Sequence, residues 1–197
     1  MTAPEAMPCT EAADDPDPEP ESPGSGYEID VLSHGTAWAD WTAAFEIVEN
    51  TARYALEQAV AGSRLGLEEA ELCILLTDDT EQRALNRTYR GKNKPTNVLS
   101  FPQADPAEIG TESGLAQPGG HLGDITVARE TLKREAAARD IPETDHLRHL
   151  IVHGVLHLLG WDHATESDAS AMEALETRIL GDLGIADPYA EAAGAAR

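Results

Sequence analysis

Five of the chain's seven histidines fall between positions 146 and 163, in the stretch HLRHLIVHGVLHLLGWDH. His153 and His157 are four residues apart in a segment with helical apolar spacing, which sets both imidazoles on one helix face about 6 Å apart along the axis. Gly160 marks the point where that helix should stop and the chain turn back, so that His163 can reach the same ion. Three neutral imidazole nitrogens with one position left for water describe a catalytic zinc site, whereas structural zinc takes four protein ligands, often cysteines. The expected cofactor is therefore one Zn²⁺ ion on His153, His157 and His163. His149 precedes His153 by four residues and shares its face, so it is either an alternative ligand or a group that supports one. His34, His121 and His146 are expected at the surface, outside the ligand set.

The spacing matches the His-Glu-x-x-His-x-x-Gly-x-x-His pattern of the metzincin proteases, with one difference: Gly154 stands at the glutamate position. In those enzymes the glutamate takes the proton from the attacking water, and glycine has no group to do so. Zinc peptidase action of that kind is therefore disfavoured.

A second cluster carries charge. Arg83, Arg87, Arg90, Lys92 and Lys94 lie within twelve residues with no acidic side chain among them, and hold five of the chain's 14 basic residues. The run continues into a loop with Gly91 and Pro95, where side chains and backbone N–H groups can approach phosphates. Tyr89 could stack on a base, but aromatics are only 5% of the chain, so electrostatics must dominate any polyanion contact.

These residues need a scaffold, and its elements are legible in the apolar patterning. YEIDVL (27–32) alternates like a strand, and Trp38, Trp41, Phe45, Val48 and Ala52 then recur at helical spacing. ELCILL (71–76), VLSF (98–101) and LGDITVA (122–128) are three more expected strands, and a helix capped within 77–80 runs to about Tyr89. Helices are expected at about 129–139, 144–159 and 167–181, and a long loop at 102–120. Strands interleaved with helices early and helices gathered late predict an α+β single domain: one small mixed sheet covered by helices, with the metal site at the end of a helix in the C-terminal half.

The 197 residues suit one domain. Residues 1–26 hold seven acidic side chains, no basic ones and many Pro, Ser and Gly, which predicts a disordered acidic tail; 27–184 is the expected domain and 185–197 a flexible C-terminal tail. The formal charge of −22 opposes polyanions over most of the surface, so a nucleic-acid role must come from a local patch. Two cysteines imply no disulfide framework, and the amino terminus carries no basic and apolar leader, so a soluble cytoplasmic protein is expected.

HGVLHLLGWDH together with NRTYRGKNKPTNVLSFP resembles the YbeY family of bacterial endoribonucleases, also called ribosomal RNA maturation factors. LGDI at 122–125 and MEALETRIL at 172–180 fit as well, so the likeness spans about 27–184, with a 102–120 loop longer than is usual in the family. The resemblance implies a zinc-dependent, single-strand-specific endoribonuclease that helps form the 3′ end of the small-subunit ribosomal RNA and takes part in ribosome quality control. Its partners would be single-stranded rRNA and the small ribosomal subunit, with no membrane. It places the zinc ligands at His153, His157 and His163 and the functionally important arginine at Arg90; the planar fork of Arg90 is expected to clamp a phosphate, and the basic run expected to bind RNA is Arg83, Arg87, Arg90, Lys92 and Lys94. The general base stays open among Asp124, Asp162, Glu166, a hydroxide carried by zinc and the RNA 2′-OH. Two other functions compete: a peptidase or amidase whose base comes from elsewhere, and a non-catalytic assembly factor in which zinc only holds helix to turn.

Overall fold

The computed structural model describes residues 26–61, 67, 69–103 and 120–190. Its elements run β1 (Gly26–Ser33), α1 (Ala43–Ala61), β2 (Glu69–Thr77), α2 (Asp79–Arg90), β3 (Val98–Pro102), β4 (His121–Ala128), α3 (Arg129–Ala138), α4 (Glu143–Leu158) and α5 (Glu166–Asp182). The four strands form one mixed sheet in the order β1-β2-β4-β3, parallel at β1/β2 and β2/β4 and antiparallel at β3/β4. This is the expected single-domain α+β architecture. Parallel neighbours cannot be joined by a hairpin, so α1 supplies the crossover from β1 to β2.

Leu72, Ile74 and Leu76 of β2 and Ile125 and Val127 of β4 are buried on one face of the sheet. That face carries α4: a Cβ built on Gly154 would lie 3.0 Å from Ile125 Cδ1 and 3.3 Å from Ser100 Oγ. The other face carries α2, whose buried Gln82 exchanges hydrogen bonds with Thr126, donating to its carbonyl at 3.3 Å and accepting from its hydroxyl at 2.9 Å. The helices α2 and α4 therefore pack on opposite faces of one sheet, with Arg90 in the last turn of one and His163 beyond the end of the other.

Two expectations need correction. The helix containing Phe45 and Val48 begins at Ala43, so Trp38 and Trp41 lie before it in turns. Trp38 is 2% exposed and satisfies its indole N–H on the Thr77 carbonyl at 2.9 Å, while the Arg129 guanidinium stacks over both indoles. His146, expected at the surface, is 1% exposed, because α4 turns it towards α3, where Nε2 pairs with Glu135 Oε2 at 2.9 Å. His34 is exposed and bonds Glu81 at 2.7 Å, and His121 lies 3.3 Å from Asp124.

Of the expected acidic tail, Gly26 is the first residue of β1, and 1–25 lie outside the described residues, as do 104–119 of the long loop and 191–197. No helix among the described residues is long and apolar enough to cross a membrane.

The His146–Glu135 pair sets an acid limit on stability. The His146 hydrogen bond is the main cause holding the Glu135 carboxyl below its ordinary value of 4.5, with Asn97 adding a second donor against the opposing effect of burial. A carboxyl lowered by folding stabilises the fold above its unfolded pKa, and that contribution is lost as pH falls through the folded pKa. Glu135→Gln is therefore expected to flatten the fall in stability below pH 4.5, measured as urea midpoints across an acid series. An unchanged acid slope would show that the pair contributes nothing.

Candidate metal centre and basic surface

Helix α4 ends in a Schellman turn: Gly160 N–H bonds the His157 carbonyl and Trp161 N–H the Leu156 carbonyl, with Gly160 at φ +88°. A side chain at Gly160 would be strained there, so the glycine at this position is what lets the chain reverse. The reversal returns His163 to the helix, with its ring centroid 5.3 Å from those of both His153 and His157. One nitrogen from each of the three imidazoles lies within 4.8 Å of the others, so the group could hold a metal ion.

What decides the tautomers lies behind the rings. His153 Nδ1 is 2.6 Å from Glu176 Oε1, and His157 Nδ1 is 2.9 Å from the Trp161 carbonyl; both partners only accept, so both Nδ1 atoms donate. Each Nε2 is then left with a lone pair, and the two face each other at 3.1 Å. Facing lone pairs repel unless a proton or a metal ion stands between them, and two such nitrogens are donors a metal can use. Burial first, then the neighbouring His153 and His163, holds the His157 imidazole below its ordinary pKa and so favours the neutral ligand form.

His149 is not in the group. Its Nε2 lies 3.7 Å from Glu176 Oε2, on the carboxylate that His153 also contacts. Glu176 is fully buried. Burial is the largest influence and would raise its carboxyl, but the nearby His149 imidazole and the hydrogen bonds from His153 and Tyr189 together outweigh it and hold the group at about 2. Glu176 and Tyr189 are the residues that sequence reasoning missed. Glu176 had a signal: it falls on the same helical face as Met172, Ile179 and Leu180, and a carboxylate inside an apolar stripe must have partners. Tyr189 had none, because its contact with Glu176 joins α5 to the chain beyond it.

The three carboxylates considered as bases are spread out. Asp162 adjoins His163 and accepts from its backbone N–H at 2.7 Å, Glu166 is exposed in the first turn of α5, and Asp124 lines a groove on the α2 face of the sheet.

Gly154 sits where a metzincin carries its base, and the packing leaves no room for one. Gly154→Glu is expected to destabilise the fold by at least ~3 kcal/mol in chemical denaturation, since its Cβ would press on Ile125 and its carboxylate would be driven into the core. A loss under ~1 kcal/mol would mean the helix can move off the sheet.

Arg83, Arg87, Arg90, Lys92 and Lys94 are all exposed, and none has a side-chain partner among the described residues. Asp78 caps the start of α2 by accepting from the Thr80 and Glu81 N–H groups, and Gly91 at φ +66° ends it, so Arg90 is its last residue. The following loop is pinned too: the buried Asn86 side chain donates to the Lys94 carbonyl at 2.7 Å, and the Asn86 backbone carbonyl accepts from the Lys92 N–H at 3.2 Å. Tyr89 packs edge-on against Phe101, with ring centroids 5.0 Å apart. The preceding Ser100 points the other way and bonds the Gly154 carbonyl at 3.3 Å. Two adjacent residues of edge strand β3 thus tie the basic helix to the histidine helix, although the basic side chains and the histidines are not in contact among the described residues.

A family model described as Endoribonuclease YbeY matches residues 39–184, which contain α1 to α5, the histidine group and the basic run. The chain belongs to the YbeY endoribonuclease family. An Endoribonuclease YbeY of Parvibaculum lavamentivorans is 52% identical over 168 residues, covering 84% of this chain and 86% of that one. Another, of Azorhizobium caulinodans, is 50% identical over 163 residues, covering 83% and 96%. A solution structure of a Thermotoga maritima protein matches 79% of this chain and 91% of its own, with a TM-score of 0.48 and 19% identity. Membership in the YbeY family makes the chain a nuclease by class, a hydrolase of phosphodiester bonds.

Proposed function

We propose that this chain is a zinc-dependent, single-strand-specific endoribonuclease of the cytoplasm that acts on single-stranded rRNA of the small ribosomal subunit, in 3′-end maturation and ribosome quality control. The observation that carries the metal part is the pair of Nε2 lone pairs facing at 3.1 Å, each fixed by an acceptor behind its ring. Family membership supports the RNA part. His153, His157 and His163 would hold the zinc, which when bound would supply Lewis-acid chemistry for water and for negative charge on the phosphate. Glu176 and the Trp161 carbonyl hold two of the imidazoles in the orientation the ion needs. Arg90, fixed at a helix end and unpaired among the described residues, presents its planar fork to a phosphate oxygen. Arg83, Arg87, Lys92 and Lys94 hold the strand along the same surface.

Incubating the purified protein with single-stranded rRNA, with the matching duplex and with casein, each with and without chelator, tests this reading. Cleavage of the single strand alone, abolished by chelator and restored by zinc, is the expected result. Casein hydrolysis would favour the peptidase, and tight rRNA binding without cleavage would leave an assembly factor.

A further inference from the structure

The residues after α5 do not leave the domain. Ile185 packs against the core, and its N–H bonds the Leu180 carbonyl at 2.9 Å. Asp187 then makes a turn in which Oδ1 accepts from the Tyr189 backbone N–H at 2.9 Å and from the Thr177 hydroxyl at 3.2 Å. Pro188 lies between them with its φ restricted by the ring. The turn returns Tyr189 to α5, where its hydroxyl donates to Glu176 Oε2, one residue before Thr177. The Tyr189 ring also stands edge-on to His149, with centroids 5.9 Å apart. Ile185, Asp187, Pro188 and Tyr189 lie past residue 184, the last residue the family model matches, while their partners lie within it.

The geometry matters because of what Glu176 does. A fully buried carboxylate depends on protein donors for every lone pair it fills. Oε1 is taken by His153 Nδ1 at 2.6 Å; Oε2 has the Tyr189 hydroxyl, with His149 Nε2 further off at 3.7 Å. Without the phenol, one oxygen is left facing a distant imidazole, and the soft terminal torsion of the glutamate can turn, carrying the His153 hydrogen bond with it.

We propose that residues 185–190 form a strap that completes the metal centre, with Tyr189 as a positioning residue: its hydroxyl holds Glu176, Glu176 holds His153, and zinc is retained more tightly as a result. The proposal rests on the zinc reading above. It concerns metal affinity, so it can be tested without RNA.

Zinc affinity of the full chain is measured by competition with a chromogenic chelator, with circular dichroism and thermal melting of the metal-free protein alongside. Tyr189→Phe keeps the ring and removes the donor, and is expected to weaken zinc binding about tenfold, as groups behind metal ligands typically do. Glu176→Gln should cost more, and Tyr189→Phe in that background should cost nothing further, because both act through one carboxylate. Asp187→Ala keeps the phenol but frees the turn, and should weaken binding in the same direction; it carries the test if Tyr189→Phe does not fold. A folded Tyr189→Phe or Asp187→Ala chain that binds zinc as tightly as the parent, with only its metal-free melting temperature lowered, overturns the strap, as do losses that multiply in the double variant. A parent chain that binds no zinc overturns the metal centre and the strap together, which separates that failure from the failure of the strap alone.

Discussion

Zinc binding is expected to be lost in His163→Ala and to survive in His149→Ala. Both histidines stand within ten residues of His153, and both could have been the third ligand by distance along the chain. The fold separates them: His163 joins the group of nitrogens within 4.8 Å, while His149 faces Glu176 from behind. Zinc sites with four protein ligands bind with about 10–16 kcal/mol, so one ligand is worth roughly 3 kcal/mol, a loss of at least about a hundredfold in affinity for His163→Ala. His149→Ala removes a ring that stands beside Glu176, Tyr189 and His153 without joining the group of nitrogens, and a loss of about tenfold or less is expected. Cleavage of single-stranded rRNA at fixed zinc should follow the same order, with His163→Ala at background. Chelator competition on the two folded variants decides it. Equal losses would place His149 in the coordination sphere and undo the arrangement described.

The second large effect is expected at Arg90. Arg90→Ala should lower kcat/KM for single-stranded RNA by about 10²–10³, the size usually seen when a group that stabilises transition-state charge is removed. Arg90→Lys keeps the charge but loses the bidentate fork, so it should recover only part of the rate. RNA affinity should fall much less than the rate in both variants, because an interaction made in the transition state is barely present in the ground state. Lys92→Ala and Lys94→Ala provide the comparison at matched ionic strength. Their loop is pinned through Asn86, so their backbone is as fixed as that of Arg90, and position alone does not explain a difference in rate. Equal rate losses at Arg90, Lys92 and Lys94 would remove the clamp and leave a docking surface.

How much of this was legible follows from the range of each interaction. The histidine triple is local: the four-residue step from His153 to His157 is set by helix pitch, and Gly160 marks the reversal that brings His163 back. The strands and most helices are local for the same reason, since their patterns repeat within a few residues; the extra turn assigned to Trp38 and Trp41 arose because apolar spacing continues past the end of a helix into turns that pack on it. The basic run needed no geometry to be noticed, because its charge stands out against an acidic chain.

Strand order could not be read from patterning, because the alternation in β2 or β4 does not name its neighbour. His146 looked like a surface residue until α3 was laid beside α4 and Glu135 reached it. Gly154 is absent a side chain in the sequence, but only the contact with Ile125 shows that none would fit. The carboxylate behind His153 comes from a helix 23 residues further on, and the phenol that holds it from 13 beyond that. Ligands close in sequence are fixed by backbone geometry, which the sequence carries. The groups that hold them in place come from separate elements, and only packing brings those together.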